Sequence, residues 1–114
     1  MVGKDWMKGS TALLVLSLLS GGEQYGYQMI GAIKSKTDGV FDLKEGTLYP
    51  VLHALENEGA IESVWRDSDE GRRRKYYRLT KKGGRLLAGK KQEWAVYTQA
   101  VGKVIGGVQY AYGS

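Results

Sequence analysis

The sequence predicts an α+β fold that is mainly α-helical: a winged helix-turn-helix with three helices and a two-stranded wing, followed by a C-terminal dimerisation helix. Three observations predict it. Apolar residues recur at helical spacing in three segments up to Gly59, and the period then shortens towards two. A run of cations leaves a turn and leads directly into the second strand-like segment, which is typical of a wing. A long segment with a seven-residue apolar repeat follows. We therefore divide the chain into residues 8–80, the winged helix-turn-helix, and residues 81–110, the dimerisation helix.

Composition limits the class of protein. A chain of 114 residues forms one small domain with little room for a buried catalytic cleft. The longest apolar runs fall far short of the roughly 20 residues that a membrane span needs, and no signal-peptide pattern accompanies them. The chain has no cysteine, which excludes disulfides and thiolate metal sites and favours a cytoplasmic location. We expect no membrane association, no metal, no cofactor and no enzyme activity.

The first two helices are predicted from apolar spacing and from their flanking signals. Ser10 and Thr11 offer N-cap oxygens to a helix over residues 12–19, which is apolar nearly all round and therefore buried. Glycines at 21 and 22 end it. A second helix is predicted over residues 25–36, with Met29, Ile30 and Ile33 on one face, and residues 37–39 form a turn.

The third helix and the wing follow. The helix should begin between residues 44 and 47 and end at Gly59, with an apolar stripe formed by Leu48, Val51, Leu52 and Leu55. Pro50 requires a start close before it, because proline is tolerated in the first turn of a helix. Residues 61–66 and 75–79 are predicted strands, joined by a loop over residues 67–71.

The last helix should begin after Thr80 as its cap and run to about Ile105 or beyond. Apolar residues recur in it every seven positions, with Lys90 as a defect; they are Leu87, Trp94, Val101 and Val108, with Tyr97 and Val104 between them. Such a repeat requires another helix as its partner. Because the small domain offers no second long helix, we predict that the same helix of a second subunit supplies it, forming a homodimer.

The charge is concentrated in one segment. Residues 72–91 hold ten of the seventeen cations and no acid, whereas the other seven cations face twelve carboxylates. The remainder of the chain therefore carries a net charge of −5, although the whole protein is at +5. Such a local field is strong enough to hold a polyanion.

Candidate nucleic-acid contacts lie on the third helix and on the wing. The apolar stripe leaves the N-terminal part of the third helix facing outward, where it could meet phosphates and base edges in a major groove. The wing cations would contact phosphates or a minor groove, and the Tyr27 hydroxyl could reach a phosphate. The alternative is an ordinary surface helix beside a solvated charge run. The residues concerned are Lys44, Thr47, Tyr49, His53, Arg72, Arg73, Arg74 and Lys75.

The functional roles of two further side chains have to be weighed. Trp94 is either an anchor of a subunit interface or an aromatic wall of a ligand cavity between subunits, with Tyr97 and Lys90 nearby. His53 is the sole histidine and has no neighbouring carboxylate pair or cysteine, so metal binding and acid–base catalysis lack partners.

These motifs resemble those of the PadR family of bacterial transcriptional regulators. The resemblance covers residues 8–105, and its most specific elements are Gly-Thr-Leu-Tyr-Pro at residues 46–50 and Tyr-Tyr-Arg-Leu-Thr at residues 76–80. Further matches are Tyr-Gly-Tyr at residues 25–27, Leu-Glu at 55–56 and Glu-Gly at 58–59. The single C-terminal helix is similar to that of the family's smaller subgroup, from which the glycine-rich end over residues 102–113 departs.

The resemblance implies a homodimer that represses transcription from a roughly palindromic operator in double-stranded DNA. It also implies release from DNA by a small aromatic or multidrug-type effector, as in some members of the subgroup. On this pattern Tyr27 and Gln28 match second-helix DNA contacts, while Thr47 and Tyr49 match recognition-helix positions. Residues 72–75 match the wing. The implied ligand or dimer interface is formed by Leu87, Lys90, Trp94, Tyr97 and Val101.

A second class of function is compatible with the same residues. A winged-helix module for protein interaction would use the basic face on an acidic partner protein. Enrichment of a palindrome from random DNA separates a regulator from such a module.

Overall fold

The computed structural model describes residues 4–106, with side chains from Gly9 onward. Its elements follow in the order α1, β1, α2, α3, β2, β3, α4, which confirms the predicted α+β, winged-helix class with a long C-terminal helix. Val108 and the last part of the predicted dimerisation helix lie outside the described residues. The bounds are α1 Lys4–Leu19, β1 Gln24–Tyr25, α2 Gly26–Lys36, α3 Glu45–Asn57, β2 Ile61–Asp67, β3 Arg73–Leu79 and α4 Lys81–Ile105.

One apolar core joins the three N-terminal helices, the sheet and the start of α4. The predicted stripe of α3 enters it through Leu48, Leu52 and Leu55, while Val51 is half-buried. Tyr77 of β3 is buried in the same cluster, and Arg78 beside it is exposed, as strand alternation predicts. The core therefore fixes both α3 and the root of the wing.

The start of α1 differs from the prediction. The helix begins at Lys4, so Ser10 and Thr11 lie inside it rather than at its N-cap, and Thr11 is fully buried. Serine and threonine favour N-caps but are tolerated inside helices, and packing of α1 against α3 and α4 decides its extent.

The sheet contains a strand that the sequence did not reveal. Its order is β1-β3-β2, and the two residues of β1 pair antiparallel with Tyr77 and Tyr76. A strand of two residues is too short to show a period of two. The strands β2 and β3 pair from Ile61 opposite Leu79 to Asp67 opposite Arg73, so the wing is longer than predicted.

The helix α3 begins at Glu45 with Lys44 as its N-cap, within the predicted range. This start places Pro50 in the second turn rather than in the first, where proline was expected. Proline lacks the N–H that would bond to the carbonyl of Gly46. Gly46 is exposed, and water can satisfy that carbonyl. The helix ends as predicted, with Gly59 in the left-handed region at φ 79°.

Helix α4 begins with a cap and then leaves the domain. Thr80 Oγ1 accepts a hydrogen bond from the Gly83 N–H at 3.0 Å, as predicted, and its hydroxyl donates to the Gly59 carbonyl at 2.6 Å. Leu87 is buried in the core, but every residue from 91 to 101 is exposed. The molecule is correspondingly elongated, with a longest dimension of 53 Å. Among the helices of residues 4–106, none is long and apolar enough to cross a membrane.

Candidate nucleic-acid interface

The N-terminal turn of α3 is open to solvent. Lys44 is exposed at the N-cap and lies 3.4 Å from Asp42, while the backbone N–H of Thr47 donates to the Lys44 carbonyl at 3.0 Å. Thr47 is half-buried, and His53 is exposed further along the helix. This turn presents the Lys44 ammonium, the Thr47 hydroxyl and the positive end of the helix dipole, together with the exposed carboxylate of Glu45.

Tyr49 connects α3 to the start of α2. Its ring is half-buried and packs on Gly26, where a Cβ would come within 2.4 Å of the Tyr49 hydroxyl oxygen. Glycine at this position therefore allows the two helices of the helix-turn-helix to approach each other. The structure thus gives Tyr49 a packing role, and its contact with bases stays a prediction.

At the start of α2, the side chain of Tyr27 is exposed to solvent and that of Gln28 forms a hydrogen bond within the helix cap. Tyr27 is 71% exposed, so its hydroxyl is available to another molecule. The side-chain oxygen of Gln28 accepts a hydrogen bond from the Tyr25 N–H at 3.0 Å. This bond caps the helix and leaves the Gln28 amide NH₂ group for an external contact.

Strand alternation divides the wing into two faces. The pairing of Ser63 with Tyr77 and of Trp65 with Lys75 places these side chains on the face that also carries Ile61 and Arg73. We call this the inner face, because Ile61 and Tyr77 enter the core from it. The outer face carries Glu62, Val64, Arg66, Arg74, Tyr76 and Arg78.

The outer-face cations are paired with carboxylates. Arg74 lies 3.1 Å from Glu70 and stacks 4.4 Å from the centroid of the Tyr25 ring. The hydrogen bond that Arg74 donates to the Glu70 carboxylate raises the pKa of Arg74 above its ordinary value. Arg66 pairs with Glu23, and Arg78 pairs with Glu62 at 2.7 Å. These contacts commit part of the basic segment to holding the sheet together.

Lys75 on the inner face forms an ion pair with α3. Its ammonium lies 3.7 Å from Glu56 of α3, and the same carboxylate accepts a hydrogen bond from Ser63 of β2 at 2.7 Å. Glu56 thus joins both strands of the wing to α3. Burial raises the pKa of the Tyr77 hydroxyl next to this cluster.

Arg72 and Arg73 differ from their neighbours. Both are exposed, and within residues 4–106 neither makes an ion pair with a carboxylate. The Arg73 guanidinium lies 5.7 Å from the centroid of the Trp65 ring. Of the four adjacent cations predicted to bind DNA, these two are available without breaking an existing pair.

A groove of about 360 Å³ lies between the wing, α3 and the start of α2. None of the residues that line it is acidic, and no group of acidic residues or histidines in the described part of the chain is arranged to bind a metal. The structure thus brings together Tyr27, Tyr49, Arg73, Arg74 and Lys75, five of the predicted site residues. The other lining residues are Tyr25, Gly26, Trp65 and Tyr77. Trp65 is not among the predicted site residues, because the sequence does not show which face of the strand over residues 61–66 borders the groove.

The second predicted cluster lies on α4. Trp94 is 46% and Tyr97 is 50% exposed, with ring centroids 6.0 Å apart, and Val101 is exposed one turn further on. Leu87 is 6% exposed in the core of its own chain, so the outward-facing repeat begins after it. A shallow cavity of about 170 Å³ lies beside the helix and is lined by Gly9, Leu13, Lys90, Glu93, Trp94 and Tyr97.

Comparison with known proteins identifies the family. Residues 15–89 match the profile of the transcriptional regulator PadR-like family. A protein of Lysinibacillus sphaericus without an assigned function is 33% identical over 109 residues, which span 96% of this chain and 100% of that protein. The transcriptional regulator YqjI of Escherichia coli is 32% identical over 79 residues, which span 69% of this chain but 36% of that longer protein.

Similar solved structures support the same family assignment. A transcriptional regulator from Clostridium thermocellum superimposes with a TM-score of 0.81 at 35% identity, covering 88% of this chain and 97% of that one. A PadR family transcription regulator from Clostridium difficile gives a TM-score of 0.73 at 35% identity, covering 85% and 99%. The profile match and these structures together show that this chain belongs to the PadR-like family of transcriptional regulators.

Proposed function

We propose that the protein is a ligand-responsive repressor that binds a palindromic operator as a homodimer. Each subunit inserts the N-terminal part of α3 into a major groove, and Thr47 and Lys44 lie where side chains reach bases and phosphates. The wing lies on the flanking backbone. Tyr27 and the amide of Gln28 contact phosphates from the start of α2.

The observation that carries this proposal is that two exposed arginines at the end of the wing form no ion pair. Arg72 and Arg73 are exposed and make no ion pair in the described structure, although Asp67 lies opposite Arg73 in the sheet. Arg73 lines the same groove as Tyr49 of α3. Unpaired arginines beside the proposed recognition helix suit a contact with the DNA backbone. When they bind phosphates, they displace the counterions condensed on DNA, which favours binding.

Helix α4 is proposed to form the dimer. Its exposed half carries Trp94, Tyr97 and Val101 on one face, together with Val104 and Ile105, all open to solvent in the single chain. Pairing with a second copy would cover them. A flat aromatic effector would bind between the Trp94 and Tyr97 rings of the two subunits and change their spacing on DNA.

Neutralising the two free arginines should weaken binding to every DNA sequence. In Arg72→Ala/Arg73→Ala, the slope of log affinity against log salt should become shallower by about 1.8, because about 0.9 is contributed by each neutralised phosphate. Fluorescence anisotropy with labelled duplexes at several salt concentrations measures both quantities.

The matched control is Arg66→Ala/Arg78→Ala, which removes the same charge from the outer face, where both arginines are already paired. We expect this control to change the slope much less. Equal changes in both double variants would show that net charge, rather than a contact by the wing, governs binding.

A further inference from the structure

Trp65 is a large aromatic residue that the core does not use. Strand alternation places it on the inner face of the wing with Ile61 and Ser63, but it is 56% exposed. The wing extends beyond the core, so its inner face is buried at Ile61 and open at Trp65. The open part borders the groove between the wing, α3 and α2.

The lining of this groove indicates the chemistry of its occupant. Each of its three cations lies over an aromatic ring, Arg73 over Trp65, Arg74 over Tyr25 and Lys75 over Tyr77, and no carboxylate lines the groove itself. Because Arg74 and Lys75 are already paired with Glu70 and Glu56, Arg73 is the cation available to a phosphate. Such a surface matches a molecule in which apolar rings alternate with negative charges. The backbone of DNA has this pattern at a regular spacing, because each deoxyribose is flanked by phosphates, whereas a peptide made only of acidic residues lacks the rings.

We propose that this groove is a binding site for the sugar–phosphate backbone of one DNA strand, with the Trp65 ring packed on a deoxyribose and the Arg73 guanidinium on the adjacent phosphate. The inference rests on the proposed DNA-binding function and adds an uncharged contact residue to it. Contacts of this kind set the register of the protein on the duplex without reading its sequence.

The site is organised before DNA arrives. Arg73 already lies 5.7 Å from the centroid of the Trp65 ring, which restricts both side chains. Glu56 holds Lys75 and Ser63, so the inner face keeps a fixed position relative to α3. Less conformational entropy is therefore lost on binding, and the backbone contact is held at a set distance from the recognition helix.

The test compares Trp65→Ala with Trp65→Phe and with Val64→Ala, a control on the outer face of the same strand. Anisotropy titrations use the full chain with its selected DNA site, a duplex of scrambled sequence, and polyglutamate. We expect Trp65→Ala to weaken binding to both duplexes by about tenfold, or about 1.4 kcal/mol, as truncation of an aromatic anchor does. Its salt slope should stay unchanged because no charge is lost. Trp65→Phe should recover most of the affinity, and Val64→Ala should bind as the wild type.

Each other outcome contradicts the inference in an identifiable way. Wild-type affinity of folded Trp65→Ala for both duplexes would overturn it and leave the proposed function standing, if Arg72→Ala/Arg73→Ala still weakens binding. Loss of polyglutamate binding alone would assign the groove to an acidic protein. Absence of DNA binding by the wild-type chain would overturn the proposed function itself.

Discussion

Replacing Gly83 with alanine should lower the free energy of unfolding by about 3 kcal/mol, the upper part of the range for overpacking. A Cβ at this position would lie 1.9 Å from the Ala60 carbonyl oxygen and 2.8 Å from Leu79 Cδ1. The first obstacle is backbone, which cannot rotate aside as a side chain can. The N-terminus of α4 would have to move away from the start of the wing, where Thr80 donates to the same carbonyl at 3.0 Å.

Urea unfolding followed by circular dichroism measures this effect. Gly84→Ala is the matched control, because it makes the same chemical change one residue later in the same helix, where a Cβ meets nothing within 4 Å. The control should be neutral or stabilising by up to about 1 kcal/mol, since alanine favours the helix over glycine. Equal destabilisation by both variants would contradict a close approach that is specific to Gly83.

Placing charges on the exposed repeat of α4 should separate the subunits. In Trp94→Glu/Val101→Glu, two carboxylates lie where a partner helix would cover them, and a buried unpaired charge is strongly unfavourable. We expect a monomer by analytical ultracentrifugation. Affinity for the operator should fall by about 100-fold or more, because the two recognition helices no longer bind as a linked pair.

Gln92→Glu/Gln99→Glu provides the matched control for this double variant. It adds the same charge at the same seven-residue spacing, on positions two residues earlier that face away from the repeat. This control should remain dimeric and keep most of its affinity. A dimeric Trp94→Glu/Val101→Glu protein would show that α4 does not form the proposed interface.

Much of the fold could be predicted because its signals are local. The stripe of α3 and the Thr80 cap each depend on residues close in sequence, and both are confirmed. The strand β1 was missed because two residues carry no periodicity. The start of α1 was wrong because a serine–threonine pair resembles a cap wherever it occurs, while packing decides the helix boundary.

The candidate site could likewise be predicted only where its signals are local in sequence. The sequence indicated that cations gather on a wing, but its four adjacent cations have different surroundings. Arg74 pairs with Glu70 and stacks on Tyr25, and Lys75 pairs with Glu56 of α3. These partners are contributed by other elements, so no pattern within the run reveals them. Only the folded structure distinguishes the paired cations Arg74 and Lys75 from Arg72 and Arg73, which form no ion pair.

The most direct test of the account is selection of bound fragments from random duplex DNA by the full-length protein, repeated with Thr47→Ala. We expect enrichment of a palindrome whose half-sites lie about one helical turn apart, or about 10 base pairs. We also expect Thr47→Ala to lose discrimination while keeping salt-dependent, non-specific binding. Failure of the wild-type protein to enrich any sequence, together with an affinity that does not change with salt, would contradict the account.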